Sequence, residues 1–355
     1  MPRSLRIEFP NALYHVVARG NQREPIFLDE VDCQGFVRAL GDACERTGWK
    51  MHAWVLLDNH YHLLLQTPEP NLVAGMQWLQ NTLTRRYNVR HHASGSVFGD
   101  RYKAIVIQGG SDYYFGTALD YIHLNPVRAR LIQPGKGQSV ADYLWSSIAG
   151  GYALPPSRRP AWLAASDGLA ALGLSDTVAG RRQMVERLNR RAIEEQVDHC
   201  GVPILGPEVD GRCSHLRRGW YWGSQEFGEK LLQKAASLGK SKSRGPKAAA
   251  VKQTHGQRQA QEWLRQGLAH AGLKNAAELK KTKGSDPRKL ALAYLLWRHT
   301  TVSQGWLAEQ LHMRSAANVC QQLRRFDLKK HRSKLPPDLR TFIESVMDDA
   351  KTPAA

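Results

Sequence analysis

The first 150 residues alternate between two hydrophobic patterns, one with the period of a strand and one with the period of a helix. Short runs rich in β-branched, leucine and aromatic residues predict strands at 12–20, 50–57, 60–67 and 101–108. Apolar residues spaced three and four apart predict amphipathic helices at 29–48, 71–91 and 111–125. Asp58 and Asn59 predict a hairpin turn between the second and third strands. The order β-α-β-β-α-β-α predicts a small α+β domain on a mostly antiparallel sheet.

The chain beyond residue 150 is predicted to be all-α. Residues 151–237 predict a helical connector, in which the adjacent aromatic residues 220–222 pack against a neighbour or stack on bases. Residues 238–259 are rich in Gly, Lys and Ser and predict a basic flexible linker. A helical unit at 260–335 and a tail at 336–355 complete the predicted order.

The unit at 260–335 contains two short predicted helices, 302–313 and 316–326, about a turn apart. This spacing is typical of a helix-turn-helix. Asn and Gln side chains can bind adenine edges, and Arg can bind guanine edges or phosphate. The second helix carries Asn318, Gln321, Gln322, Arg324 and Arg325 as candidate DNA contacts. The alternative is a helical hairpin with a solvated polar face.

Net charge supports a polyanionic partner. The chain has a formal charge of +18 and a pI of about 9.9. Residues 1–150 carry 15 Lys and Arg against 13 Asp and Glu, so nearly all of the excess lies in residues 151–355. The five cysteines form no CxxC pair, which argues against a zinc ribbon or a disulfide framework. No apolar leader and no run of 18 apolar residues occurs, so we expect a soluble cytoplasmic protein without a membrane partner.

Two histidines, His60 and His62, lie one residue apart on the third predicted strand, so both side chains point to one face. The pair alone indicates no more than a polar strand face. Tyr121 and Asn125 are four residues apart and share one face of a helix. Two imidazoles, a phenol and an amide oxygen around one metal ion would form a site for cleaving phosphodiesters. The alternatives are a packed aromatic at Tyr121 and a helix-ending residue ahead of Pro126.

These residues match a known family. The sequence resembles the single-tyrosine HUH transposases, in particular the REP-associated tyrosine transposase branch of the insertion-sequence type. The resemblance covers about residues 5–150. It rests on the phrases "YHVVARGN" (14–21), "FVRAL" (36–40), "HAWVLLDNHYHLLL" (52–65), "VFGDRYKAI" (97–105), "YIHLNPVRA" (121–129) and "WSS" (145–147).

The resemblance implies a ferredoxin-like or RRM-like sheet, with Tyr121 as the nucleophile. It further implies that His60, His62 and Asn125 bind Mg²⁺ or Mn²⁺ and that single-stranded DNA is cut beside a hairpin, in some relatives by a homodimer. Asn125 departs from the glutamine of many relatives and is shorter by one methylene. The last unit more loosely resembles the helix-turn-helix of bacterial replication initiators.

The sequence is compatible with three functions. The first is a metal-dependent transposase that cuts and rejoins DNA through a covalent phosphotyrosine. The second is a catalytically inactive, repressor-like DNA-binding protein, and the third is a nuclease that releases its product by hydrolysis. Basic residues near the predicted site are candidate DNA contacts or solvated surface charges: Arg19, Arg85, Arg86, Arg101, Lys103, Arg128 and Arg130.

Overall fold

The strands of the first 110 residues form most of one sheet. In the computed structural model, which describes residues 7–99, 101–195, 219–241, 255–300 and 302–349, the strand order is β2-β3-β1-β4-β5. The strands are β1 (Ala12–Arg19), β2 (Lys50–Leu57), β3 (His60–Thr67), β4 (Lys103–Ile107) and β5 (Tyr221–Trp222). The first four pair antiparallel, whereas β5 runs parallel to β4. With helices crossing between β1 and β2 and between β3 and β4, this is the predicted α+β, ferredoxin-like arrangement.

Two helices cover one face of the sheet and a third covers the other. On the first face, Tyr61 of β3 meets Phe36 of α1 (Glu30–Thr47) with ring centroids 4.7 Å apart. Gln80 of α2 (Leu72–Arg90) donates a hydrogen bond to the Tyr61 hydroxyl at 3.4 Å. The other face holds α3 (Asp112–His123) and the short α4 (Asn125–Arg128). Because helices cover both faces, β2 and β3 are almost entirely buried.

Pro126 lies inside a helix, whereas the sequence suggested that a helix ends just before it. Helix α3 ends at His123, and Asn125 then begins α4 with Pro126 in its first turn. Proline is tolerated there because the first backbone N–H groups of a helix have no partner within it.

The predicted connector shares the core of the sheet. It contains α5 (Ala165–Ala170), α6 (Val178–Glu194), β5 and α7 (Gln225–Ser241). Tyr152 donates its hydroxyl hydrogen to the backbone oxygen of His52 at 2.8 Å, and Met184 and Leu188 of α6 are fully buried. The chain divides into two compact units, Met1–Cys44 with Trp49–Ala250 and Val251–Ala355 with Glu45–Gly48. The first unit therefore extends beyond the predicted boundary at residue 150.

The second unit is helical and has its own core. Its helices are α8 (His255–His270), α9 (Pro287–His299), α10 (Gln304–Gln310), α11 (Ala316–Arg325), α12 (Leu328–His331) and α13 (Pro337–Asp349). Helix α13 buries Leu339 and Ile343, so the prediction of a tail from residue 336 was wrong there. The predicted linker 238–259 is partly helical at both ends, in α7 and α8, and residues 242–254 lie outside the described part. No helix within the described ranges has both the length and the apolar character needed to cross a membrane.

Candidate active site

The two histidines of the "HYH" sequence lie side by side on β3. Their ring centroids are 5.2 Å apart. The preceding turn holds His60: its Nδ1 lies 2.7 Å from Oδ1 of Asn59, whose Nδ2 donates to the backbone oxygen of Arg23 at 2.9 Å. The Asn59 amide is thereby oriented with its oxygen toward the ring, so His60 Nδ1 carries the proton. Nε2 of His60 consequently keeps a lone pair that can bind a cation.

A third histidine, His15 of β1, supports His62. Its Nε2 lies 2.8 Å from His62 Nδ1, and the two rings are stacked with centroids 5.1 Å apart. His15 is paired with Leu64 across the β1–β3 ladder, so His62 is its diagonal neighbour on the same face. A hydrogen-bond partner on one ring nitrogen fixes the orientation of an imidazole that binds a metal through the other nitrogen. Sequence reasoning missed His15 because its place depends on the register between strands far apart in the chain.

Burial keeps both histidines of the pair uncharged at neutral pH. Desolvation lowers the pKa of His60 to about 4, with a smaller contribution in the same direction from the positive charge of Arg19. Desolvation also holds the pKa of His62 well below its usual range. His62 Nε2 is buried without a hydrogen-bond partner among the described residues. A neutral imidazole with an unshared nitrogen lone pair is the form that binds a metal ion.

Helix α3 brings Tyr121 to the histidines of its own chain. The Tyr121 ring centroid lies 6.0 Å from that of His62 and 5.4 Å from that of His15, both in edge-on geometry. The side chain is only 5% exposed, so it lies against the sheet and not in solvent. Tyr121 thus approaches His62, one of the two predicted histidines, within one chain.

Asn125 and Arg128 both bind the backbone of Tyr121. Asn125 Nδ2 donates to the carbonyl oxygen of Tyr121 at 2.8 Å and to that of Ile122 at 3.4 Å. Arg128 Nη1 donates to the same Tyr121 oxygen at 2.8 Å, and its guanidinium carbon lies 4.8 Å from the Tyr121 ring centroid. Because the Asn125 amide nitrogen is used in this way, its Oδ1 is left as the acceptor.

The donor set fits a small divalent cation. No group of three His, Cys, Asp or Glu side chains suited to a metal occurs in the described ranges, so a third protein donor must be of another type. An amide oxygen such as Asn125 Oδ1 is one. Two neutral imidazoles and an amide oxygen suit Mn²⁺ and related ions and leave coordination positions for substrate oxygens.

Comparison with known proteins found one family model and a solved structure that resemble this chain. Residues 8–125 match the family model described as "Transposase IS200 like", a match that begins just before β1 and ends at Asn125. No curated protein matches the chain. Among solved structures, the chain is similar to a REP-associated tyrosine transposase bound to a REP hairpin, with 18% identity and a TM-score of 0.36. That similarity covers 42% of this chain and 84% of the other.

The first unit carries a basic cleft beside the histidines. Arg19 lies opposite His60 in the β1–β3 ladder, and Lys103 of β4 lies opposite Val17, so both share the face of the site. The cleft has a volume of about 600 Å³, and its described lining contains no carboxylate and four cationic side chains: Arg19, Arg23, Arg101 and Lys103. Arg23 was not predicted; it lies in a turn where Gln22 and Arg23 both have left-handed backbone, with φ of 51° and 66°.

Other predicted DNA contacts of the first unit lie away from this cleft. Arg86 of α2 donates to the backbone oxygen of Gly35 at 3.2 Å and pairs with Asp42 at 3.3 Å, both on α1. Helix α2 covers the sheet face opposite the histidines, so the structure does not bring Arg85 and Arg86 to this site. Arg130 is exposed just after α4, with a left-handed φ of 59°.

The polar residues of α11 lie in the second unit. Val319 faces its core, whereas Gln321, Arg324 and Arg325 are exposed and Asn318 and Gln322 are half-buried. Ser315 caps the helix by accepting a hydrogen bond from the backbone N–H of Asn318 at 3.2 Å. The exposed face of α11 therefore has the amide and guanidinium groups expected of a DNA-contacting helix.

Proposed function

We propose that this protein is a DNA transposase of the HUH type whose Tyr121 cuts single-stranded DNA beside a hairpin and later rejoins it. The observation that carries the proposal is the approach of the Tyr121 ring to within 6.0 Å of His62. A phenol beside a neutral imidazole, with a second neutral imidazole next to the first on the same strand, has the composition of a phosphodiester-cleaving site. The match of residues 8–125 to the IS200-like transposase family model supports it.

His60, His62 and Asn125 would hold Mg²⁺ or Mn²⁺, which when bound polarises the scissile phosphate. The low pKa values of the two histidines favour this role, because no proton has to leave either ring before it binds a cation. Asn59 and His15 orient the two rings by hydrogen bonds to their Nδ1 atoms, which leaves Nε2 of each ring for the metal.

In the cutting step the Tyr121 phenolic oxygen forms a bond to phosphorus and the bond from phosphorus to the 3′ oxygen breaks. The phenolic proton passes to solvent, and the leaving 3′ oxygen takes up a proton to become a free hydroxyl. One phosphodiester replaces another, so the phosphotyrosine retains the energy needed for rejoining. A 3′ hydroxyl reverses the step by attacking the phosphotyrosine.

The basic cleft supports binding of the DNA strand that leads to this tyrosine. Its four exposed cations lie along one open surface beside His60. A flexible phosphate backbone can contact several charges spread along a surface, whereas a small ligand contacts fewer of them. We therefore propose Arg19, Arg23, Arg101 and Lys103 as phosphate contacts.

A second candidate function is repressor-like binding of DNA through the second unit, without catalysis. The exposed Gln321, Arg324 and Arg325 of α11 favour it. The two functions can be separated, because only the first requires a covalent bond between Tyr121 and DNA.

The test is incubation of the full chain with hairpin-flanked oligonucleotides and Mn²⁺, followed by denaturing electrophoresis. We expect a covalent adduct that disappears in Tyr121→Phe, while DNA binding remains within about twofold because only one hydroxyl is lost and the cations of the basic cleft are unchanged. Tyr113→Phe is the matched control, since Tyr113 lies on the same helix but is 56% exposed. An adduct formed by Tyr121→Phe would identify another nucleophile.

A further inference from the structure

Helix α6, which lies beyond the residues that match the transposase family, holds the residue just before Tyr121. Asp120 is only 1% exposed. Arg187 binds it with both terminal nitrogens, Nη1 to Oδ1 at 2.5 Å and Nη2 to Oδ2 at 2.6 Å. Arg191, one turn further along α6, also pairs with Asp120. Both cations therefore attach α6 to the tyrosine-bearing helix α3.

A second ionic contact holds the arginine that touches Tyr121. Glu195, directly after α6, accepts three hydrogen bonds from Arg128, at 2.8, 3.0 and 3.1 Å. Arg191 also reaches Glu195 at 3.4 Å and so joins the two contacts into one network. Arg128 in turn binds the backbone oxygen of Tyr121 and lies over its ring.

The network is suited to holding Tyr121 in a fixed position. Buried charges are tolerated only when they are paired and hydrogen-bonded, and bidentate guanidinium–carboxylate pairs define both distance and angle. Helix α6 provides a rigid base, because Met184, Leu188 and Ala192 are fully buried in the core of the first unit. The carboxylates and guanidiniums therefore connect the Tyr121 backbone and ring to the packed core at several points.

We propose that Arg187, Arg191 and Glu195 are positioning residues that set the tyrosine for attack, acting through Asp120 and Arg128. The inference rests on the proposed role of Tyr121 as nucleophile. In-line attack requires the phenolic oxygen at a defined distance from phosphorus, and a misplacement of about 1 Å can slow a reaction about 100-fold. Catalysis by this chain thus depends on residues 187–195, which lie well beyond the family match that ends at residue 125.

The experiment compares Glu195→Gln, Glu195→Asp and Glu186→Gln in the full chain. Glu186 is the matched control, since it lies on α6 and pairs with Arg182 at 2.8 Å, but both side chains are more than half exposed. We expect Glu195→Gln to lower the single-turnover rate of adduct formation at saturating hairpin DNA on the order of 10- to 100-fold. The dissociation constant for that DNA, measured without divalent metal, should change less than about twofold, because no residue of the basic cleft is altered.

Glu195→Asp should recover most of the rate, and Glu186→Gln should match the unchanged chain. A rate loss in Glu195→Gln that Glu195→Asp does not recover, or a parallel loss of DNA affinity, would overturn positioning in favour of a structural role. Full activity of Glu195→Gln would overturn it as well. Arg187→Gln provides the same test if Glu195→Gln does not fold, because the Arg187 side chain is the most exposed of the network at 36%.

Hydrogen exchange separates this inference from the proposed chemistry. Glu195→Gln should speed exchange of the α3 amides at residues 119–125 relative to Glu186→Gln, whether or not the chain cuts DNA. Equal exchange in the two variants would overturn the positioning role. Failure of the unchanged chain to form any adduct would instead overturn the proposed function and leave the exchange result to decide the role of Glu195.

Discussion

The contact between His15 and His62 leads to a quantitative prediction about metal dependence. Replacing His15 with Phe keeps a planar ring of similar size in a position that is fully buried. It removes Nε2, which lies 2.8 Å from His62 Nδ1. The substitution therefore tests the hydrogen bond with little change in packing volume.

The magnitude follows from the burial of His62. A buried polar nitrogen left without its partner costs about 1–3 kcal/mol. Loss of a group that orients a ligating histidine lowers metal affinity about 10- to 100-fold. The two ranges agree, because each factor of ten corresponds to about 1.4 kcal/mol. We expect His15→Phe to raise the Mn²⁺ concentration for half-maximal activity by about 10- to 100-fold.

The assay is single-turnover adduct formation as a function of Mn²⁺ concentration. Saturating Mn²⁺ should restore most of the rate, since Tyr121 and both ligating histidines remain. His15→Gln should lie between Phe and the unchanged chain, because its amide can again bind Nδ1 of His62. His52→Phe is the control: His52 is another buried histidine of the sheet, and its ring contacts Phe115.

An unchanged Mn²⁺ dependence in His15→Phe would refute the reasoning, because it would show that His62 is oriented without His15. A rate that saturating Mn²⁺ does not restore would also refute it, since the defect would then lie outside metal binding.

Three further predictions concern the site and the two units. A mixture of His62→Ala and Tyr121→Phe chains should form no adduct, because both side chains of one site come from one chain; recovered activity would indicate a site shared between subunits. Arg101→Ala should weaken DNA binding and reduce the slope of log affinity against log salt by about one, whereas Arg86→Ala should leave that slope unchanged. Arg324→Ala should likewise weaken binding to duplex DNA, and equal salt slopes for the variant and the unchanged chain would contradict a phosphate contact there.

Local patterns were sufficient for most of the first 125 residues. The alternation around His60 and His62 specifies that their side chains share a face, because the period of a strand is fixed by backbone geometry. The fold class follows from the same periods. The position of Asn125 at the start of α4 could not be read from the pattern, because Pro126 is compatible with both the end and the beginning of a helix.

Contacts between residues far apart in the chain could not be predicted from the sequence. His15 meets His62 only through the register of β1 against β3, and Asp120 meets Arg187 across 67 positions of the chain. Neither pairing leaves a periodic signal. The error at residues 337–349 has a different cause: α13 buries Leu339 and Ile343 against the second core, which only the assembled unit reveals.

The short strand β5 bears on how the protein is synthesised. Gln108 donates its backbone N–H to the carbonyl oxygen of Trp222 at 2.8 Å, and the Trp222 indole donates to Tyr114 at 3.2 Å. A nascent chain that has reached residue 150 therefore still has an open β4 edge, and such edges pair readily with foreign strands. The β4 edge can be covered by β5 only after Trp222 has been synthesised. We therefore expect that a minimal expression fragment of the first unit has to end after residue 222, because a shorter one would present that edge to its neighbours and aggregate.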